Sequence, residues 1–155
     1  MIEETLKKLK GTFTFEIKDV NGKVRDTWSF DNLVTNAGFA QLALLAGDAS
    51  ATPFTYIAVG TSSTAPAVTD TTLTAEITDT GLARVAGTVS RVTTTVTNDT
   101  YRVTTTWTAT GSKTIEEVGV FNASSAGTML SHALTTSKAV TNGETLTGTY
   151  SLRFS

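Results

Sequence analysis

Between Val92 and Thr110 apolar side chains fall at two-residue spacing amid threonines: Val92 and Val96, then Tyr101, Val103 and Trp107. Successive side chains of a strand point to opposite faces, so this pattern predicts a long β-hairpin with an apolar face toward a core and a threonine face outward. Gly11 to Lys18 sets Phe13, Phe15 and Ile17 against Thr12, Thr14 and Glu16. Asn21-Gly22 then offers a tight turn into Lys23 to Asp31, where Val24, Trp28 and Phe30 share one face. The last segment, Thr145 to Ser155, alternates Leu146, Tyr150, Leu152 and Phe154 with Thr147, Thr149, Ser151 and Arg153.

Two stretches carry a helical period instead. Asn36 is placed to cap a helix over 37–46, with Phe39, Leu42, Ala43 and Ala46 on one stripe and Gly47 after it. Ile2, Leu6 and Leu9 repeat at i, i+4 and i+7, with Glu3 and Glu4 ahead of Lys7, Lys8 and Lys10, which predicts an amphipathic N-terminal arm over 1–10. Phe54 to Val59 is nearly all apolar, as in a strand buried on both faces, and leads into an exposed loop, Gly60 to Asp70. Further strands are expected at Leu73–Ile77, Leu82–Val96, Tyr101–Thr110, Thr114–Phe121 and Thr128–Leu134. With about eight or nine strands, the expected fold is all-β, an antiparallel β-sandwich or open barrel over 11–155 as a single domain.

Composition narrows the chemistry. The chain has 155 residues, 12 basic against 14 acidic, and no cysteine. Spread along the chain, these charges leave no electrostatic footprint for nucleic acid or an anionic membrane. Without cysteine there is no disulfide, thiolate catalysis or cysteine-ligated metal. No stretch reaches the roughly 20 apolar residues of a bilayer span, and the N-terminus lacks the apolar core of a secretory signal, so synthesis and retention in the producing cytoplasm are expected. Asn98-Asp-Thr100 and Asn122-Ala-Ser124 match the glycosylation pattern but are better taken as turn residues.

Reactive constellations are sparse. His132 is the lone histidine, on the face expected for Leu130 and Leu134, and reads as a packed or edge residue rather than a general base. Glu116 and Glu117 are adjacent on a strand and project oppositely, so Glu116 is expected in solvent and Glu117 in a charge pair or facing a partner. The Gly60-Thr-Ser-Ser-Thr64 run lacks the lysine of a phosphate loop, and Asp70, Asp79 and Asp99 lack the spacing of a calcium loop. Glu76 and Arg84 flank the turn at Gly81 and are positioned for a cross-strand ion pair. No enzymatic activity and no cofactor are expected.

Several blocks carry a likeness. Asn32-Leu-Val-Thr-Asn-Ala-Gly38, Phe54-Thr-Tyr-Ile-Ala-Val-Gly-Thr61 with Ala65-Pro66, Asp70 to Glu76, and Ile115-Glu-Glu-Val-Gly-Val-Phe-Asn122 with Gly127-Thr-Met-Leu130 resemble successive blocks of a family of small tailed-phage virion proteins. The resemblance implies a structural role without catalysis, as a capsid decoration protein or a fibre-like head or tail component. The role expected first is decoration of the outer capsid surface, with the major capsid protein and other copies of the chain, as a homotrimer, as partners. Nucleic acid and membrane are not expected partners. The alternatives are a tail-fibre or baseplate module binding a host receptor, and a free carbohydrate-binding module. The expected contact residues are Ile2, Leu6 and Leu9 on the arm and Ser62, Ser63, Thr64 and Pro66 on the loop.

Overall fold

A computed structural model describes residues 9–154. The strands are β1 (Leu9–Lys18), β2 (Val24–Asp31), β3 (Leu33–Val34), β4 (Tyr56–Gly60), β5 (Val85–Ala86), β6 (Thr88–Val92), β7 (Thr100–Thr108), β8 (Lys113–Phe121), β9 (Met129–Val140) and β10 (Thr145–Phe154), with one helix, α1 (Asn36–Gly47). They build two five-stranded sheets, ordered β2-β1-β10-β7-β6 and β3-β9-β8-β4-β5. All pairings are antiparallel. The fold is therefore a β-sandwich rather than an open barrel, and the short β3 and β5 take the described strands to ten.

The alternation read from β1 is realised: Phe13, Phe15 and Ile17 are buried and meet Tyr150, Leu146, Val103 and Trp107 from the same sheet and Ile57, Val59, Ile115 and Val120 from the other. Their rings form a continuous stack, with Phe15 stacked on Trp28 at 5.6 Å and on Trp107 at 6.4 Å between centroids. Phe13 tilts against Tyr150 at 4.7 Å. Aromatic pairs at such separations add to burial because ring edge and face carry opposite partial charge. The second sheet is apolar on both sides, as expected of Phe54 to Val59. Ala58, Phe121, Met129 and Leu73 form a separate cluster.

Side chains rather than backbone close one flank of the sandwich, between β2 and β9. Trp28 Nε1 donates to Thr135 Oγ1 at 2.7 Å, Lys138 Nζ meets Asp26 at 2.7 Å, and Arg25 holds Glu144 with two hydrogen bonds. At the other flank the chain crosses between sheets at Gly87, whose N–H bonds Thr55 O.

Several expectations are corrected. Leu9 and Lys10 open β1 instead of ending a helix, Leu9 pairing with Phe154. Ile2, Leu6 and the remainder of the expected arm lie outside the described residues. Thr35, not Asn36, caps α1, its hydroxyl accepting from Gly38 N. The helix turns Gly38, Leu42 and Leu45 inward and leaves Phe39, Ala43 and Ala46 exposed. At Gly38 an added Cβ would lie 2.4 Å from Leu130 O, so only glycine lets the helix rest on the β9 backbone. Val24 is exposed because a register shift at Lys18 rotates it off the Trp28 face. Val96 is exposed in the loop between β6 and β7, and Phe154 is exposed at the end of β10. Leu73–Ile77 forms an isolated bridge, Gly60 to Glu76, rather than a strand.

Candidate functional site

β4 ends at Gly60 and delivers the chain into the loop 61–72, which holds nearly all of the Gly60 to Asp70 segment expected to meet a partner. Ser63 and Thr64 are exposed, Ser62 and Pro66 half-buried. Ser62 Oγ accepts from Thr64 N, which shapes the tip locally. Leu9 lines a groove with Leu33, Val34, Phe39 and Val68. The groove reaches the loop through Val68, while Ile2 and Leu6 lie outside the described residues.

What fixes the loop is a set of buried polar groups. Glu117 on β8 is fully buried, and its carboxylate accepts from Thr74 N at 3.0 Å and Ala75 N at 2.6 Å. The same carboxylate lies 2.9 Å from His132 Nε2 on β9, while His132 Nδ1 lies 2.8 Å from Asp70 Oδ2. Asp70 also accepts from Ala67 N. That backbone bond first, against the opposing effect of burial, and then the imidazole hold the Asp70 carboxyl below its ordinary range. An ionised Asp70 only accepts, so Nδ1 donates to it, and one proton lies between Nε2 and Glu117 Oε2 whichever atom carries it. Gly60 makes room for this arrangement: an added Cβ would stand 2.4 Å from Glu117 Oε1.

Glu117 is thus paired, as expected, and His132 is packed at 1% exposure. The expected shared face of His132 and Leu130 is corrected: the register shift between Val120 and Phe121 sends Leu130 to the main core while His132 turns to the loop. With no hydroxyl or thiol nucleophile bonded to its ring, His132 fastens the loop to the sheet. Glu116 accepts from Ser137 Oγ on the outside of β9.

The ion pair expected of Glu76 and Arg84 is present and bidentate, at 2.9 and 2.6 Å. Arg84 Nη1 also donates to Ala123 O and Ala126 O, and the guanidinium lies 3.5 Å from the Phe121 ring centroid. One side chain thereby ties the segment at Glu76 to the turn between β8 and β9. Asp79 pairs with Lys113, and Asp99 accepts from the backbone N–H groups of Thr94, Thr95 and Val96. Among the described residues no group of three His, Cys, Asp or Glu is arranged to hold a metal. No described helix is long and apolar enough to cross a membrane.

Sequence reasoning missed the exposed apolar residues. Phe39 and Leu44 on α1, Val68 in the loop and Phe154 on β10 are each about half exposed. Phe154 closes a shallow groove with Leu42, Leu45, Pro53 and Phe54 that has a wholly apolar lining. Their one sequence signal was that α1 is apolar on more faces than a single buried stripe requires.

No curated protein and no solved structure matches the chain. The sequence model of the family described as podophage GP4 fiber I protein gp80 matches residues 35–151, from the cap of α1 through most of β10. The chain belongs to this podophage fiber I protein family, and so to the structural proteins of the tailed-phage virion.

Proposed function

We propose that the chain is a subunit of a tail fibre, contributing a rigid sandwich that assembles with neighbouring copies and presents a loop-bearing surface outward. The observation that carries this reading is the family match over 35–151, which spans α1, the fastened loop, β4 to β9 and most of β10. The family's description names a fibre protein, and this favours the fibre over decoration of the capsid, the role expected first from the sequence.

The structure supplies what such a subunit needs. The loop 61–72 is locked at its base by Glu117 and His132 while Ser63 and Thr64 stay exposed, a rigid stalk with a polar tip suited to repeated contact. The apolar groove of Leu9, Leu33, Val34, Phe39 and Val68 adjoins the entry of residues 1–8, so a neighbouring copy is the proposed occupant of that end and Ile2, Leu6 and Leu9 its proposed contacts. Use as a free carbohydrate-binding module is less well supported. Trp107 is buried and Trp28 stacks on Phe15, so neither ring offers an open platform for sugar.

Disrupted virions separated into heads and tails test the proposal. An antibody to the chain is expected to detect it in the tail fraction; recovery with empty heads would return the assignment to capsid decoration.

A further inference from the structure

We infer that a cationic recess on the outer face of the β2-β1-β10-β7-β6 sheet binds the acidic groups, carboxylate or phosphate, of a glycan. The recess is lined by Lys10 and Thr12 of β1, Ser151 and Arg153 of β10, Arg102 and Thr100 of β7, and Thr94 of the preceding loop; its volume is about 210 Å³.

The register concentrates the charge. Lys10 stands directly opposite Arg153 across β1 and β10, and Arg102 stands opposite Ser151, two residues from Arg153 on the same face of β10. Like charges directly opposite destabilise a sheet, so this pairing has a cost that an anion would relieve. Arg102 Nε donates to Ser151 Oγ at 3.2 Å, which orients the guanidinium and leaves its terminal N–H groups without an acceptor among the described residues. In the described chain Lys18, Arg25, Arg84, Lys113 and Lys138 all have carboxylate partners. Lys23, Arg91, Arg102 and Arg153 have none there, and two of these four share the recess.

Nearby carboxylates are already engaged. Asp31 lies 3.8 Å from Lys10 with both side chains largely exposed, a weak pair. Asp99 accepts from backbone N–H groups and from the hydroxyls of Thr94 and Thr100, which fixes that wall of the recess. A planar guanidinium held in place matches a carboxylate or phosphate through paired hydrogen bonds.

The surroundings select a glycan among anions. No aromatic side chain lines the recess, so bases have nothing to stack on. Beyond it the same face continues as rows of hydroxyls, Ser29 and Thr14, Thr149 and Thr104, then Thr147 and Thr106. Hydroxyls that both donate and accept suit a hydroxyl-rich chain. This inference rests on the fibre reading, in which the outer face meets a host surface.

Biosensor binding of the full chain to immobilised polygalacturonate, a phosphomannan, neutral dextran and a short DNA duplex tests it. Retention is expected on one or both acidic glycans, identifying carboxylate or phosphate, with dextran and DNA unbound and affinity falling with salt. Arg102→Gln combined with Arg153→Gln should weaken binding by about tenfold or more, whereas Arg91→Gln should not change it. Should the double variant fold poorly, amide chemical shifts of the unaltered protein titrated with galacturonate oligomers are expected to move at Thr94, Thr100, Arg102 and Ser151. Equal binding by the double variant, equal retention on dextran or DNA, no retention on either acidic glycan, or shifts elsewhere would overturn the inference. Location in the virion is independent of this assay: tail labelling without glycan binding refutes the recess alone, and head labelling with glycan binding refutes the fibre alone.

Discussion

Trp107 stacks parallel to Phe15 and donates its indole N–H to Ala83 O at 2.8 Å, joining the core to the segment before β5. Trp107→Ala should cost about 3–5 kcal/mol in chemical denaturation, because both the ring volume and a hydrogen bond are lost. Its inward face was legible from the alternation of Tyr101, Val103 and Trp107. His132 was not legible in the same way: a lone histidine in an apolar strand signals burial, but its partners depend on the shifted β8–β9 register and on a loop 62 residues away in sequence. His132→Leu would leave Glu117 buried with only its two backbone donors. It should destabilise by about 3 kcal/mol and raise amide exchange through residues 61–77, measured by hydrogen–deuterium exchange. A loss confined to exchange at the loop tip would mean that Glu117 is adequately served by the backbone alone.

Strands are legible where one face is simply buried, as in β1 and β10, or where both are, as in β4. They were misread where tertiary geometry decides. Leu73–Ile77 has strand-like residues, yet Glu117 takes the N–H groups of Thr74 and Ala75 that a ladder would use. Leu82–Val96 is one run in sequence but passes from one sheet to the other at Gly87, so it becomes β5 and β6. At α1 the cap is Thr35 rather than Asn36, because the Thr35 hydroxyl both accepts from Gly38 N and donates to Met129 O at 2.6 Å. Thr35→Ala removes the cap and orphans a buried carbonyl, so a loss of about 2 kcal/mol is expected by urea denaturation. Asn36→Ala should be nearly neutral in the same measurement. Deleting residues 1–8 is expected to leave the circular dichroism and melting of the sandwich intact while weakening self-association in sedimentation; unfolding instead would place that segment on the core of its own subunit.

For the whole molecule, the carboxylates that fasten the sandwich set its pH range. Hydrogen bonds from Arg25 to Glu144 and from Lys138 to Asp26 are the first causes holding those groups below their ordinary values of 4.5 and 3.8. The folded state binds protons less readily than the unfolded one, so this stability is complete above those ordinary values and lost as pH falls below them. Burial raises Tyr101 and Tyr150 above their ordinary value of 10.0, so the opposite limb appears: stability is lost as pH rises past 10. Thermal melting is expected to fall along both limbs, at acid pH and above pH 10. The overall plan of a threonine-faced sandwich is visible in the alternation, whereas the half-exposed Phe39 and Val68 on one groove and Phe154 on another gain their meaning only when folding brings distant segments together.

The tail-fibre assignment is tested most directly by imaging intact virions labelled with gold-conjugated antibody against the chain. The fibre account requires label on appendages at the tail and none on the head lattice. Label distributed over the head, with the appendages bare, would contradict it.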